Sequence, residues 1–317
     1  MSRRRTIVAL AAEYLAARRA LGFALRIEGQ QLLAFAQYAD RCNHPGPLTT
    51  ALAVRWATRS PIASPIGLAR RLDIVRPFAR YLAASESRTE IPPPGLLGPS
   101  HRRLPPHVYS RKEITALLRA AAALSPTGGL RPRTYTTLFA LLVCTGLRVS
   151  EALRLAQADV DLAARVLTIR ETKFRKTRLV PLHPSASRAL GRYAVQRDRV
   201  HPQPARPTFF LSEAGMPLAY STVRTTFLRL RQALGWCRTG HRSPRIHDAR
   251  HTFACHRLQR WYQDGTDVEQ HLLALSTYLG HAKVSDTYWY LTATPGLLGT
   301  PAGRFERFAQ REEGAQP

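Results

Sequence analysis

Apolar residues recur at helical spacing from Ile7 to Leu21, and Gly22 ends the run. A second helical run covers Glu28 to Tyr38 and stops near the turn Asn43-His44-Pro45-Gly46-Pro47. Thr49 and Thr50 are hydroxyl caps for a third helix through Trp56, and a fourth runs from Pro65 to Leu82. From Ala83 to Pro106 the periodicity dissolves into Ser85, Ser87, Pro92-Pro93-Pro94-Gly95, Pro99-Ser100 and Pro105-Pro106, the composition of an extended connection. Helical spacing resumes after Ser110-Arg111-Lys112-Glu113, a capping box ahead of Ile114, Leu117 and Leu118. A buried helix follows from Arg133 to Cys144, and Gly146 suits its C-terminal cap, which places Arg148 at a tight junction before the next helix. Arg165 to Arg170 and Thr177 to Leu182 read as strands joined by a basic turn. Helices are then expected around 184–198, 219–234, 247–263 and 267–279, with a short helical candidate, Ala302 to Arg311, in the polar tail. The pattern predicts a mainly α chain with a small β-sheet, divided into a helical domain at 1–85, a linker at 86–107 and a second domain at 108–317.

Composition narrows the partners. A chain of 317 residues with 44% hydrophobic content has enough apolar surface for two folded domains. Lys and Arg number 47 against 21 acids, a net charge of +26 that repels itself unless a polyanion balances it. No run approaches the roughly 18 apolar residues of a membrane span, so nucleic acid is the expected polyanion. Met1-Ser2-Arg3-Arg4-Arg5 leads into an amphipathic stretch containing Glu13, without the apolar core or cleavage site of a signal peptide; it reads as a DNA-contacting arm or a solvated terminus. Arg70, Arg71, Arg76 and Arg80 on the fourth helix make either a solvated face or one that grips a phosphate backbone. Cys42, Cys144, Cys237 and Cys255 are scattered without a C-x-x-C pair, which argues against a disulfide framework and a cysteine zinc site and for a reduced, cytoplasmic protein; Cys144 and Cys255 are expected in the core.

Four stretches carry chemistry: Thr145-Gly146-Leu147-Arg148-Val149-Ser150-Glu151, the basic hairpin Thr172-Lys173-Phe174-Arg175-Lys176-Thr177-Arg178-Leu179-Val180-Pro181-Leu182, His247-Asp248-Ala249-Arg250-His251, and Leu279-Gly280-His281 with Tyr290 nine residues on. Attack on a phosphodiester without a metal needs a nucleophile, cations on the non-bridging oxygens, an acid for the departing alkoxide and an acceptor for the nucleophile's proton. Arg148 and Arg250 suit the second task, since a guanidinium fork binds phosphate bidentately and stays charged. Glu151 either orients Arg148 or merely complements the helix dipole. Lys173 and Lys176 both qualify as the acid at a hairpin tip. His247 and His251, one turn apart, share a helix face. Tyr288 and Tyr290 point about 200° apart on a helix, so they cannot serve one phosphate together, and local chemistry does not choose between them.

With these residues in this order, the chain resembles the tyrosine recombinase, or phage integrase, family. Thr145 to Leu153 is similar to its first arginine box, His247-Asp248-x-Arg250-His251 to its H-x-x-R box, and Leu279-Gly280-His281 with Tyr290 to its final spacing; all boxes fall in order over residues 108–295. The hairpin ending Arg178-Leu179-Val180-Pro181-Leu182 resembles the family's lysine hairpin, which points to Lys173, although Phe174 and Arg175 replace the usual small turn residues. The resemblance implies an N-terminal helical core-binding domain and an α+β catalytic domain forming a C-shaped clamp on double-stranded DNA. It implies that Tyr290 forms a 3′-phosphotyrosyl bond, that Arg148, His247, Arg250 and His281 stabilise the transition state, and that Lys173 protonates the leaving oxygen. It further implies no cofactor or metal, a homotetramer on two DNA sites with accessory recombinases or DNA-bending proteins, and a cytoplasmic, nucleoid-associated location. The wording Asp286-Thr287-Tyr288-Trp289-Tyr290-Leu291 resembles a transposon- or plasmid-borne branch.

Three rival readings follow from the same residues. His247 and His251 have H-x-x-x-H spacing, with His256, His271 or His281 as a third ligand and Asp248 as base, which would make a zinc hydrolase. The others are a catalytically inactive DNA-binding relative and a type IB topoisomerase, which shares the tyrosine chemistry.

Overall fold

The computed structural model describes residues 5–42, 44, 47–60, 63–101, 106–170, 177–237, 243–281 and 283–292. The chain divides into two compact units, Met1–Leu104 and Pro105–Pro317.

The first unit is helical, with α1 (Ile7–Ala20), α2 (Arg26–Arg41), α3 (Thr50–Thr58) and α4 (Pro65–Ala83). Hydroxyl caps set three of the four starts: Thr6, Thr49 and Ser64 accept from the backbone N–H of Ala9, Leu52 and Gly67. The helices close on Leu32, Phe35, Trp56, Leu72, Val75 and Phe78. Arg71 stacks its guanidinium 4.1 Å from the Trp56 ring centroid and donates to the Trp56 carbonyl. Arg76 pairs with Asp73 and donates to the carbonyls of Pro92 and Pro93, and Arg70 donates to that of Ser100. The expected arginine face is therefore largely spent inside the unit, tying the proline-rich stretch to α4, and among its four arginines Arg80 is the exposed one with no such bond shown.

The second unit opens with α5 (Arg111–Ala122), whose Ser110 and Glu113 form the expected capping box. Then come α6 (Leu130–Thr145), α7 (Val149–Arg154) and a sheet of β1 (Val160–Asp161), β2 (Val166–Ile169) and β3 (Arg178–Pro181), antiparallel in that order. Register pairs Leu167 with Val180 and Ile169 with Arg178, so Leu167, Ile169 and Val180 turn inward together. Arg165 adopts a left-handed backbone at φ 57°, which takes it out of the strand that the pattern assigned to it. The rest is α8 (Pro184–Val200), α9 (Tyr220–Ala233), α10 (Asp248–Gln263), α11 (Val268–Leu279) and α12 (Ser285–Thr292). One core gathers Tyr109, Leu138, Phe139, Leu142, Phe210 and Phe227; a second joins Cys255, Leu258, Leu272, Leu275 and Leu279 to Tyr290. Cys144, expected in the core, is exposed: α6 buries Leu141, Leu142 and Thr145 and leaves that position on its open side. The candidate helix at 302–311 lies outside the described residues.

Candidate active site

The site is assembled where two helices end in glycine. Gly146 caps α6 at φ 65° and Gly280 caps α11 at φ 68°, a conformation that glycine enters without the Cβ clash. Each ending leaves carbonyls without helical partners, and arginines take them up. Arg250, 2% exposed, donates from Nη1 to Gly146 O at 2.9 Å and from Nη2 to Leu279 O at 2.6 Å. Arg148 donates from Nη2 to Gly280 O at 3.1 Å. The two guanidiniums thus lie side by side, and Arg250 has its pKa lowered to about 10, by burial first and then by the charge of Arg148.

Glu151 holds the first of them. Its side chain is 1% exposed, and it accepts from the Arg148 backbone N–H and from Arg148 Nη1 at 2.7 Å. The orienting role, one of its two sequence readings, is the one its geometry matches. Glu151 also accepts from Arg178 on β3, through Nη1 at 3.2 Å and Nη2 at 2.9 Å. Burial pushes its carboxyl up, but the hydrogen bonds and charge of Arg178 and those of Arg148 outweigh this and hold it at about 2. Arg178 was legible only as part of the basic hairpin; nothing in its neighbourhood in the chain marks it as a partner of Glu151.

The α10 start brings two more groups, and the residue after the α11 cap a third. His247 and His251 face each other with ring centroids 4.9 Å apart, as their spacing requires. His281, after Gly280, bonds through Nδ1 to Thr287 Oγ1 at 2.8 Å, a partner that the sequence did not announce. The pKa of His281 is pushed down to about 4, by burial first and then by Arg250 and Arg148, and that of His251 to about 3, by burial first and then by His247. His247 keeps an open edge to solvent, yet the protein packed around it and the charges of Arg250, Arg245 and Arg148 bring it to about 4. All three are neutral imidazoles at pH 7.

Helix α12 separates the two tyrosines. Tyr290 is 2% exposed and Tyr288 49%. The Tyr290 ring lies 6.1 Å from that of His281 and 5.5 Å from that of His251, and its side chain hydrogen-bonds Arg250. Burial raises its pKa, and the charge and hydrogen bond of Arg250 only partly offset this, so the phenol is protonated at rest. Five of the six expected site residues, Arg148, His247, Arg250, His281 and Tyr290, are therefore gathered around the α11 end. Lys173 and its rival Lys176 lie outside the described residues.

Asp248 is fully buried and accepts from the backbone and side chain of Arg245, so it ties the turn before α10 to the helix start. Among the described residues no three His, Cys, Asp or Glu side chains converge as a metal ion would need, and no helix is long and apolar enough to cross a membrane.

The chain is similar to known proteins. Residues 108–296 match the phage integrase family. The chain is 45% identical over 301 residues to y4rB of Sinorhizobium fredii, described by name as an integrase/recombinase, covering 93% of this chain and 95% of that one. It is 31% identical over 227 residues to the tyrosine recombinase XerD of Caulobacter vibrioides, covering 72% and 70%. Among solved structures, the Tn1549 transposon integrase in complex with transposon right end DNA matches with a TM-score of 0.66 at 16% identity, over 96% of this chain and 100% of that one, a likeness of fold.

Proposed function

The chain belongs to the phage integrase family of tyrosine recombinases, and from that premise we propose that it cuts and rejoins double-stranded DNA at specific sites through a 3′-phosphotyrosyl intermediate. The observation that carries this reading is the placement of a buried, arginine-bonded Tyr290 beside Arg148, Arg250 and His281. The scissile phosphate would enter between the guanidiniums and the phenol. Arg148 and Arg250 bind its non-bridging oxygens as charge builds, and His247 and His281 add hydrogen bonds. The Tyr290 oxygen attacks phosphorus, the P–O5′ bond breaks, and the leaving oxygen takes a proton from Lys173. The phenolic proton passes to a neutral imidazole, His247 or a neighbouring group. The phosphotyrosyl ester keeps the energy of the broken bond, so a second 5′-hydroxyl reverses the step. Residues 1–85 would serve as the core-binding domain, 86–107 as the linker and 108–317 as the catalytic domain. Four copies would act on two DNA sites, and the full-length match to y4rB and the fold shared with a transposon integrase support a mobile-element setting.

The test is covalent trapping. A nicked duplex selected for binding from a randomised pool releases the strand beyond the cut and stalls the adduct, which mass spectrometry locates. The adduct belongs on Tyr290, persists in Tyr288→Phe and vanishes in Tyr290→Phe. An adduct on Tyr288 overturns the assignment. A bound duplex with no adduct supports the inactive relative, and relaxation of supercoils by monomers without a recombination site supports the topoisomerase.

A further inference from the structure

Arg178 is a side chain that the reaction above leaves without a task. It begins β3, at the base of the hairpin, and its side chain is 11% exposed. Each nitrogen of its guanidinium makes a bond: Nε donates to Tyr278 O at 2.8 Å, and Nη1 and Nη2 each donate to one oxygen of Glu151, which uses three of its five N–H groups. It packs so close to Gly280 that a Cβ there would lie 2.9 Å from Nη1. All three of its nitrogens are engaged by protein groups. It does, however, share one buried carboxylate with Arg148, the residue proposed to hold the phosphate. Two guanidiniums against one carboxylate leave this trio with a net positive charge. Without Arg178, the charge of Glu151 would cancel that of Arg148 at close range in a poorly solvated setting, where such cancellation is strongest.

We propose that Arg178 is a positioning residue that neutralises Glu151, so that Glu151 orients Arg148 without quenching its charge toward the scissile phosphate. The inference rests on the strand-transfer reading above. It makes Arg178 an electrostatic counterweight rather than a structural peg, and the two roles part under substitution. A peg lost in Arg178→Met stays lost when Glu151 also becomes Gln. A counterweight does not, because Gln keeps the shape of Glu151 and carries no charge to cancel.

The experiment measures single-turnover adduct formation at saturating DNA, DNA affinity, and titration with orthovanadate as a phosphate probe, corrected by the binding left in Arg148→Ala. Arg178→Met is expected to slow adduct formation by at least about tenfold, part of the roughly hundredfold loss when a transition-state donor is removed, with DNA affinity within about threefold. Arg178→Met/Glu151→Gln recovers most of that loss, and Arg178→Lys, which loses the bidentate fork but keeps the charge beside Glu151, stays within about fivefold of the parent. The vanadate affinities follow the same order. A double variant no faster than Arg178→Met overturns the proposal. If Arg178→Met does not fold, Arg178→Lys decides: a loss as large as that of Arg148→Ala shows that charge is not what Arg178 supplies. A parent that forms no adduct sinks the strand-transfer reading alone, since the vanadate series still tests the counterweight.

Discussion

Arg148 and Arg250 look equivalent in the sequence, each an arginine beside a helix start, but the fold uses them differently. Arg250 is 2% exposed and satisfies the carbonyls of Gly146 and Leu279, while the Arg148 side chain is 28% exposed and shares Glu151 with Arg178. Removing Arg148 leaves Glu151 paired and takes the donor from one part-buried carbonyl, that of Gly280; removing Arg250 leaves two buried helix-end carbonyls without donors, a cost of about 1–3 kcal/mol for each buried polar group so stranded. Both alanine variants should lose roughly a hundredfold or more in adduct formation. Arg250→Ala should also lower the urea midpoint of unfolding, and by more than Arg148→Ala does. Equal midpoints for the two would show that Arg250 is not structural. Lys173 is separable by a different chemistry. A substrate with sulfur at the 5′-bridging position needs no proton at departure, so Lys173→Ala should regain cleavage on it while Arg148→Ala should not. Rescue of Lys176→Ala instead would move the acid three residues along the hairpin.

At the scale of elements, much of the architecture was legible because local rules acted alone. Thr49 and the Ser110–Glu113 box cap the helices they precede, and Gly146 ends α6 as its position suggested. What was not legible depends on contacts distant in the chain. Local chemistry left Tyr288 and Tyr290 open and the family spacing pointed to Tyr290; the packing of α12 on α10 and α11 sets that one beside Arg250 and the other at the surface. Arg178 meets Glu151 across 27 residues, and Arg76 spends its charge on prolines that read as free linker. The cap at Gly146 offers a test of how element and site are coupled. A Cβ there would meet the Phe253 ring at 2.6 Å, whereas at Gly235, also left-handed at φ 69°, it would meet nothing. Gly235→Ala should cost only the left-handed strain of about 1–2 kcal/mol and keep adduct formation. Gly146→Ala should cost more and slow the adduct as well, because the Gly146 carbonyl that holds Arg250 must move. Identical effects of the two on midpoint and adduct would separate the cap from the site.

Across the whole molecule, the charge of +26 sets how it meets DNA, and the buried imidazoles set how it meets acid. Each phosphate neutralised releases counterions, so the log–log slope of DNA affinity against salt should be roughly −5 or steeper; a flat plot would remove DNA as the main partner. The imidazoles work through a different balance. The folded chain holds His281 at about 4 and His251 at about 3, while an unfolded chain returns both to 6.5. Below 6.5 the unfolded state therefore binds more protons than the folded one, and stability rises with pH across that window. Their neutral burial costs nothing above pH 6.5 and is penalised progressively as pH falls toward 4. Glu151, held at about 2, starts to count only below its ordinary 4.5, so the interval from pH 6.5 to 5 reports mainly on the histidines. Urea midpoints should fall across that interval, and His251→Gln/His281→Gln should flatten the fall. Bound duplex should flatten it too, because a phosphate between the imidazoles and arginines favours the charged ring. A midpoint independent of pH from 6.5 to 5 would mean that the imidazoles are not held neutral. A slope that survives the double substitution would assign the acid sensitivity to His247, also held at about 4, or to groups outside this site.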